Sequence, residues 1–88
     1  LMTFTAAHKY DRGEHCGAEA NAAKYLAGEA CFKACSNAIQ THGGMGYAKE
    51  FHVERYFREM LIHRIAPVSP QMILNYLSER VLGLPRSY

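Results

Sequence analysis

Ile39-Gln40-Thr41-His42-Gly43-Gly44-Met45-Gly46-Tyr47 ends a long helical pattern and places three glycines within four positions. A helix needs only one glycine after its last turn in order to stop. The further glycines let a ligand or another chain approach the backbone closely, because glycine has no side chain. Together with the polar glutamine, threonine and histidine, they suggest a surface over which a large, flat ligand passes. Taken alone, the stretch favours a simple helix stop followed by a tight turn, because short glycine motifs are weak signals, and the surrounding sequence has to decide between the two.

Helical spacing surrounds this stretch on both sides, and no convincing strand pattern occurs. Residues 18–42 repeat small or apolar side chains at intervals of three and four, which predicts one long helix. The same spacing predicts helices over residues 50–65 and 70–82. Residues 1–10 read as the end of a helix, followed by a polar loop. We therefore predict an all-α fold, with residues 1–88 forming part of a helical bundle.

Each predicted helix has an expected buried face. Leu1, Met2, Phe4 and Thr5 share one side of the first helix, whereas Lys24, Glu29, Lys33 and Asn37 fall outside the face of the second and Asn75, Ser78 and Glu79 outside that of the last. The residues expected to be buried in the three longer helices are Ala23, Leu26, Ala27, Ala30, Cys31, Ala34, Ala38 and Ile39; Val53, Phe57, Met60, Leu61 and Ile65; and Met72, Ile73, Tyr76, Leu77 and Val81.

Proline and glycine mark the ends of the last helix. Pro67 lacks an amide hydrogen and disfavours helical geometry in the residue before it. Ser69 followed by Pro70 is typical of a helix start, with a capping oxygen and then a residue preset for the first helical position. Gly83 is expected to stop the helix.

The composition excludes several classes of function. The chain has 88 residues and a formal net charge of +2, with both signs interleaved, so no basic stripe for nucleic acid exists. Its apolar runs are far shorter than the about 20 residues that cross a bilayer, which predicts a soluble protein. Cys31 and Cys35 are expected to be small buried thiols. Leu1 opens in the middle of a helical pattern, which predicts a piece of a longer protein.

Two motifs at a fixed separation resemble the C-terminal end of the acyl-CoA dehydrogenase family. The first is Gln-x-x-Gly-Gly-x-Gly-Tyr at residues 40–47, and the second is Val-Glu-Arg-x-x-Arg-Glu at residues 53–59. The alanine-rich helix before them and the capped helix after them extend the resemblance over essentially the whole chain.

The resemblance implies a flavoenzyme whose C-terminal domain is a four-helix bundle, of which this chain is a part, and which provides part of the FAD site and an oligomer contact. It implies acyl-CoA as substrate, electron-transfer flavoprotein as partner, and a homo-oligomer (dimer or tetramer) or a mixed assembly in the bacterial cytoplasm or mitochondrial matrix. In the family, the first motif lies on FAD bound mainly by the neighbouring subunit, and a second contact lies at the start of the last helix. Carried over by position, the FAD contacts are Gln40, Thr41, His42, Gly43, Gly44, Ser69 and Gln71.

The chain departs from the medium-chain type of this family at Pro67, where that type carries its catalytic glutamate. Proline cannot accept a proton, so we expect no catalytic residue within these 88 residues. The base then lies upstream, or the chain is a subunit without a base in a mixed assembly. A non-catalytic helical interaction module is the alternative from another class. A DNA-binding helical domain would need a basic recognition helix, and none is found.

The remaining acidic, histidine and aromatic residues are expected to have structural roles. Glu50, Glu54 and Glu59 are expected at the surface or in ion pairs. The histidines outside the glycine motif have no metal-like grouping. The aromatic residues expected at an interface or in the core are Tyr47, Phe51, Tyr56 and Phe57.

Overall fold

The computed structural model describes residues 1–87. No strand occurs among them, which confirms the all-α prediction. Two compact units are present, one formed by Leu1–Leu26 and the stretch from Val68 onward, the other by Ala27–Pro67. The helices are α1 (Met2–Asp11), α2 (Gly17–His42), α3 (Gly44–Tyr47), α4 (Val53–Ile65) and α5 (Pro70–Arg80), with a 3₁₀ turn over Lys49–Phe51.

The observed helix ends lie close to the predicted ones, with one addition. Where the sequence predicted only a glycine turn, the chain forms the short helix α3 and the 3₁₀ turn. As a result α4 begins at Val53, three residues after the predicted start. His52, directly before α4, adopts a left-handed conformation with φ of 58°.

In the first unit, α5 packs through Ile73, which is fully buried. Gly17 at the start of α2 approaches the same helix closely, because a Cβ at this position would lie 2.5 Å from the hydroxyl oxygen of Tyr76. An ion pair between Lys9 and Glu19 connects α1 with α2. These contacts join the three helical segments of this unit.

The start of α5 agrees with the predicted cap. Ser69 is extended, and its Oγ accepts a hydrogen bond from the backbone N–H of Met72 at 3.3 Å. Pro70 occupies the first turn, where its missing N–H costs nothing. This confirms Ser69 as the N-cap residue.

After α5 the chain turns back along the helix. Gly83 has a φ of 67°, and the N–H of Leu84 donates to the carbonyl of Ser78 at 3.0 Å. The returning segment covers polar residues that were predicted to face away. Asn75, Ser78 and Glu79 are therefore half-buried, and the prediction that they lie outside the packed face is wrong.

In the second unit, Gly28 and Arg64 bring α2 and α4 together. Gly28 is buried, and a Cβ there would lie 3.6 Å from Cγ of Arg64. The guanidinium of Arg64 binds Glu29 at 2.7 Å and lies 4.6 Å from the ring centroid of Phe32. Phe32 in turn contacts Phe57, with ring centroids 5.7 Å apart. In this part of α2, Gly28 and Phe32 therefore form the side that packs against α4.

The predicted buried face of α2 is wrong over much of its length. Ala23, Cys31, Ala38 and Ile39 are half-buried, but four other members of that face are exposed: Leu26, Ala27, Ala30 and Ala34. Glu29 faces Arg64 instead of lying outside. Alanine is small enough for either side of a helix, so the face is decided by where Gly28 and Phe32 meet α4.

The faces of the other helices are partly confirmed. Val53, Phe57, Met60 and Leu61 lie on the packed side of α4, and Ile73, Tyr76 and Leu77 on that of α5. The exceptions are exposed, with Ile65 at 68%, Met72 at 45% and Val81 at 57%. On α1 the predicted face is also wrong, since Leu1 and Phe4 are exposed while Ala6 and Lys9 are half-buried.

No helix within residues 1–87 combines the length and apolar character that a bilayer span requires.

The turn after α2 depends on a contact between two backbone segments. Gly46 is buried, and a Cβ at this position would lie 2.8 Å from Cα of Ile39. Gly43, with a φ of 59°, makes the preceding turn. At Gly44 an added Cβ would meet nothing within 4 Å. Two of the three clustered glycines are therefore required by the chain itself.

A substitution of Gly46→Ala is expected to lower the free energy of unfolding by about 1–3 kcal/mol, because the new methyl group overlaps rigid backbone of α2. Chemical denaturation measures this change. Gly44→Ala is the matched control and should leave stability almost unchanged, or raise it slightly. Equal effects of the two substitutions would contradict the packing role of Gly46.

Candidate functional site

The last turn of α2 presents three polar side chains to solvent. Gln40, Thr41 and His42 are all exposed. Thr41 donates its hydroxyl hydrogen to the carbonyl of Asn37 at 2.8 Å, and Nδ1 of His42 donates to the carbonyl of Ala38 at the same distance. These bonds within the helix hold two of the side chains against it.

Gln40 is the polar side chain of this turn with the most freedom to bind a ligand. Its Nε2 lies 3.4 Å from Oγ of Ser36, a long and weak hydrogen bond. Its amide offers two donors and one acceptor oxygen. Gly43 and Gly44 follow directly, are exposed, and have open space where a side chain would stand. The five predicted residues 40–44 thus form one exposed surface, which we call the glycine corner.

A groove lies beside this corner within the same unit, with a volume of about 500 Å³. Its apolar floor comes from Ile39 and Phe57, and its charged rim includes an ion pair between Arg58 Nε and Glu54 Oε2 at 2.8 Å. Tyr47 and Lys49 complete the lining. The groove therefore combines an apolar lining with charged side chains.

The glutamates behave as the sequence predicted. Glu54 pairs with Arg58, and Glu59 pairs with Arg55 at 3.1 Å, while Glu50 is exposed. The hydrogen bond from Arg58 lowers the pKa of Glu54 below its ordinary value, and the charges of Lys49 and Arg55 act in the same direction. An acid held ionised in this way is a poor proton acceptor at neutral pH.

The aromatic residues near the corner divide into two groups. Phe57 is half-buried against Phe32, as expected for a core residue. Tyr47, Phe51 and Tyr56 are exposed, with Tyr47 at 88%, so they do not belong to the core of this chain.

Ser69 and Gln71 lie together in the first turn of α5, in the other unit. Ser69 uses its oxygen as acceptor for the helix, which leaves its hydroxyl hydrogen available as a donor. Gln71 is exposed. The N-terminal end of an α-helix attracts anions through its unpaired N–H groups and its dipole. This turn can therefore bind a negatively charged group.

Pro67 is exposed and offers no group that accepts a proton. Within residues 1–87, no cluster of three or more histidine, cysteine or acidic side chains has a metal-binding arrangement. Cys31 and Cys35 are half-buried free thiols, and burial together with a hydrogen bond to Cys31 raises the pKa of Cys35. A raised pKa keeps this thiol protonated and unreactive at neutral pH.

Residues 1–82 match the family described as Acyl-CoA dehydrogenase, C-terminal domain. The chain belongs to the acyl-CoA dehydrogenase family. The fold class and the resemblance carried by the two motifs are thereby confirmed.

Several relatives show how far the likeness extends. Acyl-CoA dehydrogenase FadE12 of Mycobacterium tuberculosis is 47% identical over all of this chain and 23% of its own length. The CarC subunit of the caffeyl-CoA reductase-Etf complex of Acetobacterium woodii is 40% identical, over 93% of this chain and 22% of its own. The short/branched chain specific mitochondrial acyl-CoA dehydrogenase of Rattus norvegicus is 33% identical, over 92% of this chain and 19% of its own length. The chain spans less than a quarter of these relatives. No solved structure matches it.

Sequence reasoning missed the contacts that three residues make. Gly46 was grouped with the ligand-facing glycines, although it packs against Ile39. Lys24 was placed outside the packed face, although its Nζ donates to the carbonyl of Val68 at 3.0 Å. The packing role of Arg64 was not predicted, because its ion-pair partner Glu29 lies 35 positions away in the sequence. No local signal in the sequence reports such distant contacts.

The pKa of Glu54 provides a direct test of the groove's charged rim. We expect Glu54 to titrate below an ordinary glutamate in the native protein, and Arg58→Met to raise its pKa toward the ordinary value of about 4.3. Carboxyl-carbon NMR over a pH series measures both values. The stabilisation from this pair is present above the ordinary pKa and is lost as the pH falls through the folded-state pKa.

Arg55→Met is the matched control, since Arg55 pairs with Glu59 and acts on Glu54 only through its charge. It should move the pKa of Glu54 less than Arg58→Met does. An unchanged Glu54 titration in Arg58→Met would show that the pair does not form in solution.

Proposed function

We propose that this chain is the C-terminal part of an FAD-dependent acyl-CoA dehydrogenase and contributes flavin contacts and an oligomer contact. The observation that carries the proposal is the exposed glycine corner at residues 40–44, in a chain that matches the family's C-terminal domain over residues 1–82. The polar groups and open glycines of this corner face solvent, which supports contact with a partner outside the chain.

The glycine corner fits a neutral, hydrogen-bonding part of FAD. Gly43 and Gly44 allow a flat group to lie close to the backbone, and the Gln40 amide can both donate and accept. The C-terminal end of a helix carries partial negative charge, so it favours hydroxyl and amino donors over phosphate. Ribose or adenine edges are therefore better suited to this end of α2.

The first turn of α5 fits the opposite kind of group. The backbone N–H of Gln71, the Ser69 hydroxyl and the Gln71 side-chain amide are donors at the positive end of a helix. A diphosphate or the polar edge of the flavin ring is a suitable partner. Each of the two surfaces is matched by its own electrostatics to one part of the cofactor.

When bound, FAD supplies the acceptor for the hydride that leaves the β-carbon of an acyl-CoA thioester while a base takes the α-proton. This chain's residues hold and orient the cofactor. None is proposed to take the proton, since Pro67 stands at the family's glutamate position and Glu54 and Glu59 are paired with arginines. The base is proposed to lie upstream or on a partner subunit.

The proposed partners follow from the same assignment. Electron-transfer flavoprotein would reoxidise the flavin, a proposal supported by the name of the CarC relative, which belongs to an Etf complex. A homo-oligomer or a mixed assembly would bring the glycine corner to a neighbouring subunit's FAD. The exposed apolar positions Leu26, Ala30 and Ala34 on α2 are consistent with a further contact. The bacterial cytoplasm or the mitochondrial matrix is the proposed location.

The second candidate function is a non-catalytic helical module, or a subunit without a base in a mixed assembly. Pro67 favours it. The presence of Gln40, Gly44 and Gln71 argues against loss of the cofactor, because all three are exposed and the helical packing gives them no evident role. Gly43 and Ser69 are also present, but they serve the turn and the helix cap as well.

Replacing Gln40 tests the cofactor assignment. In the native polypeptide that contains this chain, Gln40→Ala is expected to weaken FAD binding by about 1–1.5 kcal/mol, or about tenfold, through loss of the amide hydrogen bonds. Titration of the apoprotein with FAD, followed by flavin fluorescence, measures the dissociation constant.

Asn37→Ala is the matched control, because Asn37 is an exposed amide residue one turn earlier on α2. It should bind FAD like the native protein. FAD affinity that is unchanged in Gln40→Ala, or reduced equally in both variants, would count against the glycine corner as a cofactor surface.

A further inference from the structure

Lys24 makes a contact that an ordinary surface lysine does not make. It is half-buried on α2, and its Nζ donates a hydrogen bond to the carbonyl oxygen of Val68 at 3.0 Å. The two residues are 44 positions apart and belong to the same compact unit. The lysine thereby ties α2 to the residue that directly precedes the N-cap of α5.

Val68 directly precedes the N-cap Ser69 and lies outside α5. Pro70 has no N–H, and the Ser69 carbonyl is already the acceptor for Ile73 at 3.1 Å within α5. The Val68 carbonyl accepts a hydrogen bond from the Lys24 ammonium. A shift of Val68 would move Ser69 with it and would reorient the first turn, which includes Gln71.

We propose that Lys24 is a positioning residue for the flavin contacts at Ser69 and Gln71. Its ammonium fixes the Val68 carbonyl and with it the first turn of α5, and its positive charge adds to the positive end of that helix. This inference rests on the proposed function, since it assumes that the first turn of α5 meets FAD. The residue acts through Val68 and Ser69 and is not itself assigned a contact with the cofactor.

Three substitutions separate positioning from general packing. Lys24→Met keeps the aliphatic stem and removes the ammonium, whereas Lys24→Arg keeps a charged donor. Lys33→Met is the matched control, because Lys33 is an exposed lysine on the same helix. The dissociation constant for FAD is measured on the apoprotein of the native polypeptide, at a temperature where thermal unfolding shows all variants to be folded.

Lys24→Met is expected to weaken FAD binding about tenfold, which is the loss expected if the unsupported first turn of α5 holds its binding geometry about one tenth of the time. The FAD dissociation constant of Lys24→Arg should stay within about threefold of the native value. That of Lys33→Met should equal the native value. If Lys24→Met does not fold, Lys24→Gln, which is uncharged and one atom shorter, is measured in its place with the same expected loss.

Native affinity in Lys24→Met or Lys24→Gln would overturn the positioning role and leave the proposed function intact. An equal loss of FAD affinity in Lys24→Met and Lys24→Arg would also overturn it, because a charged donor at this position would then not be sufficient for binding. Failure of the native protein to bind FAD would instead overturn the proposed function, and the positioning role with it. A loss in Lys24→Met that Lys24→Arg restores supports the inference.

Discussion

The close approach of Gly46 to the backbone of Ile39 is the constraint on which the second unit depends. Because no side chain separates the two segments, the chain can turn back against α2 directly after the helix ends. This turn decides where α4 begins, and it leaves residues 40–44 on the open side of the corner. The same glycine cluster therefore serves two purposes, with Gly46 packed inward and Gly44 facing solvent.

The two polar surfaces differ in the electrostatics of the helix ends that carry them. The glycine corner lies at the negative end of α2, while Ser69 and Gln71 lie at the positive end of α5. A dinucleotide has both kinds of group, a chain of hydroxyls and amines and a diphosphate. The assignment of a different part of FAD to each surface, as proposed above, follows from this difference. The proline at position 67 provides no base, so the role proposed for this chain is limited to holding the cofactor.

Local signals in the sequence were sufficient for the helix ends and insufficient for the helix faces. Ser69, Pro70 and the glycines act within a few residues, so their caps and turns could be predicted. The face of α2 could not, because alanine fits either side of a helix and the choice depends on Gly28 meeting Arg64 from a distant segment. The candidate site was predicted from the resemblance to the acyl-CoA dehydrogenase family, whereas the contacts of Gly46 and Lys24 arise only in the folded chain.

The most direct test of the account is the visible absorption spectrum of the native protein, recorded together with its intact mass. The account predicts a polypeptide longer than these 88 residues that carries a flavin spectrum, with the base to be sought in its upstream part. A colourless protein of only these residues would contradict the cofactor assignment and would favour a helical interaction module or a subunit completed by a separate partner.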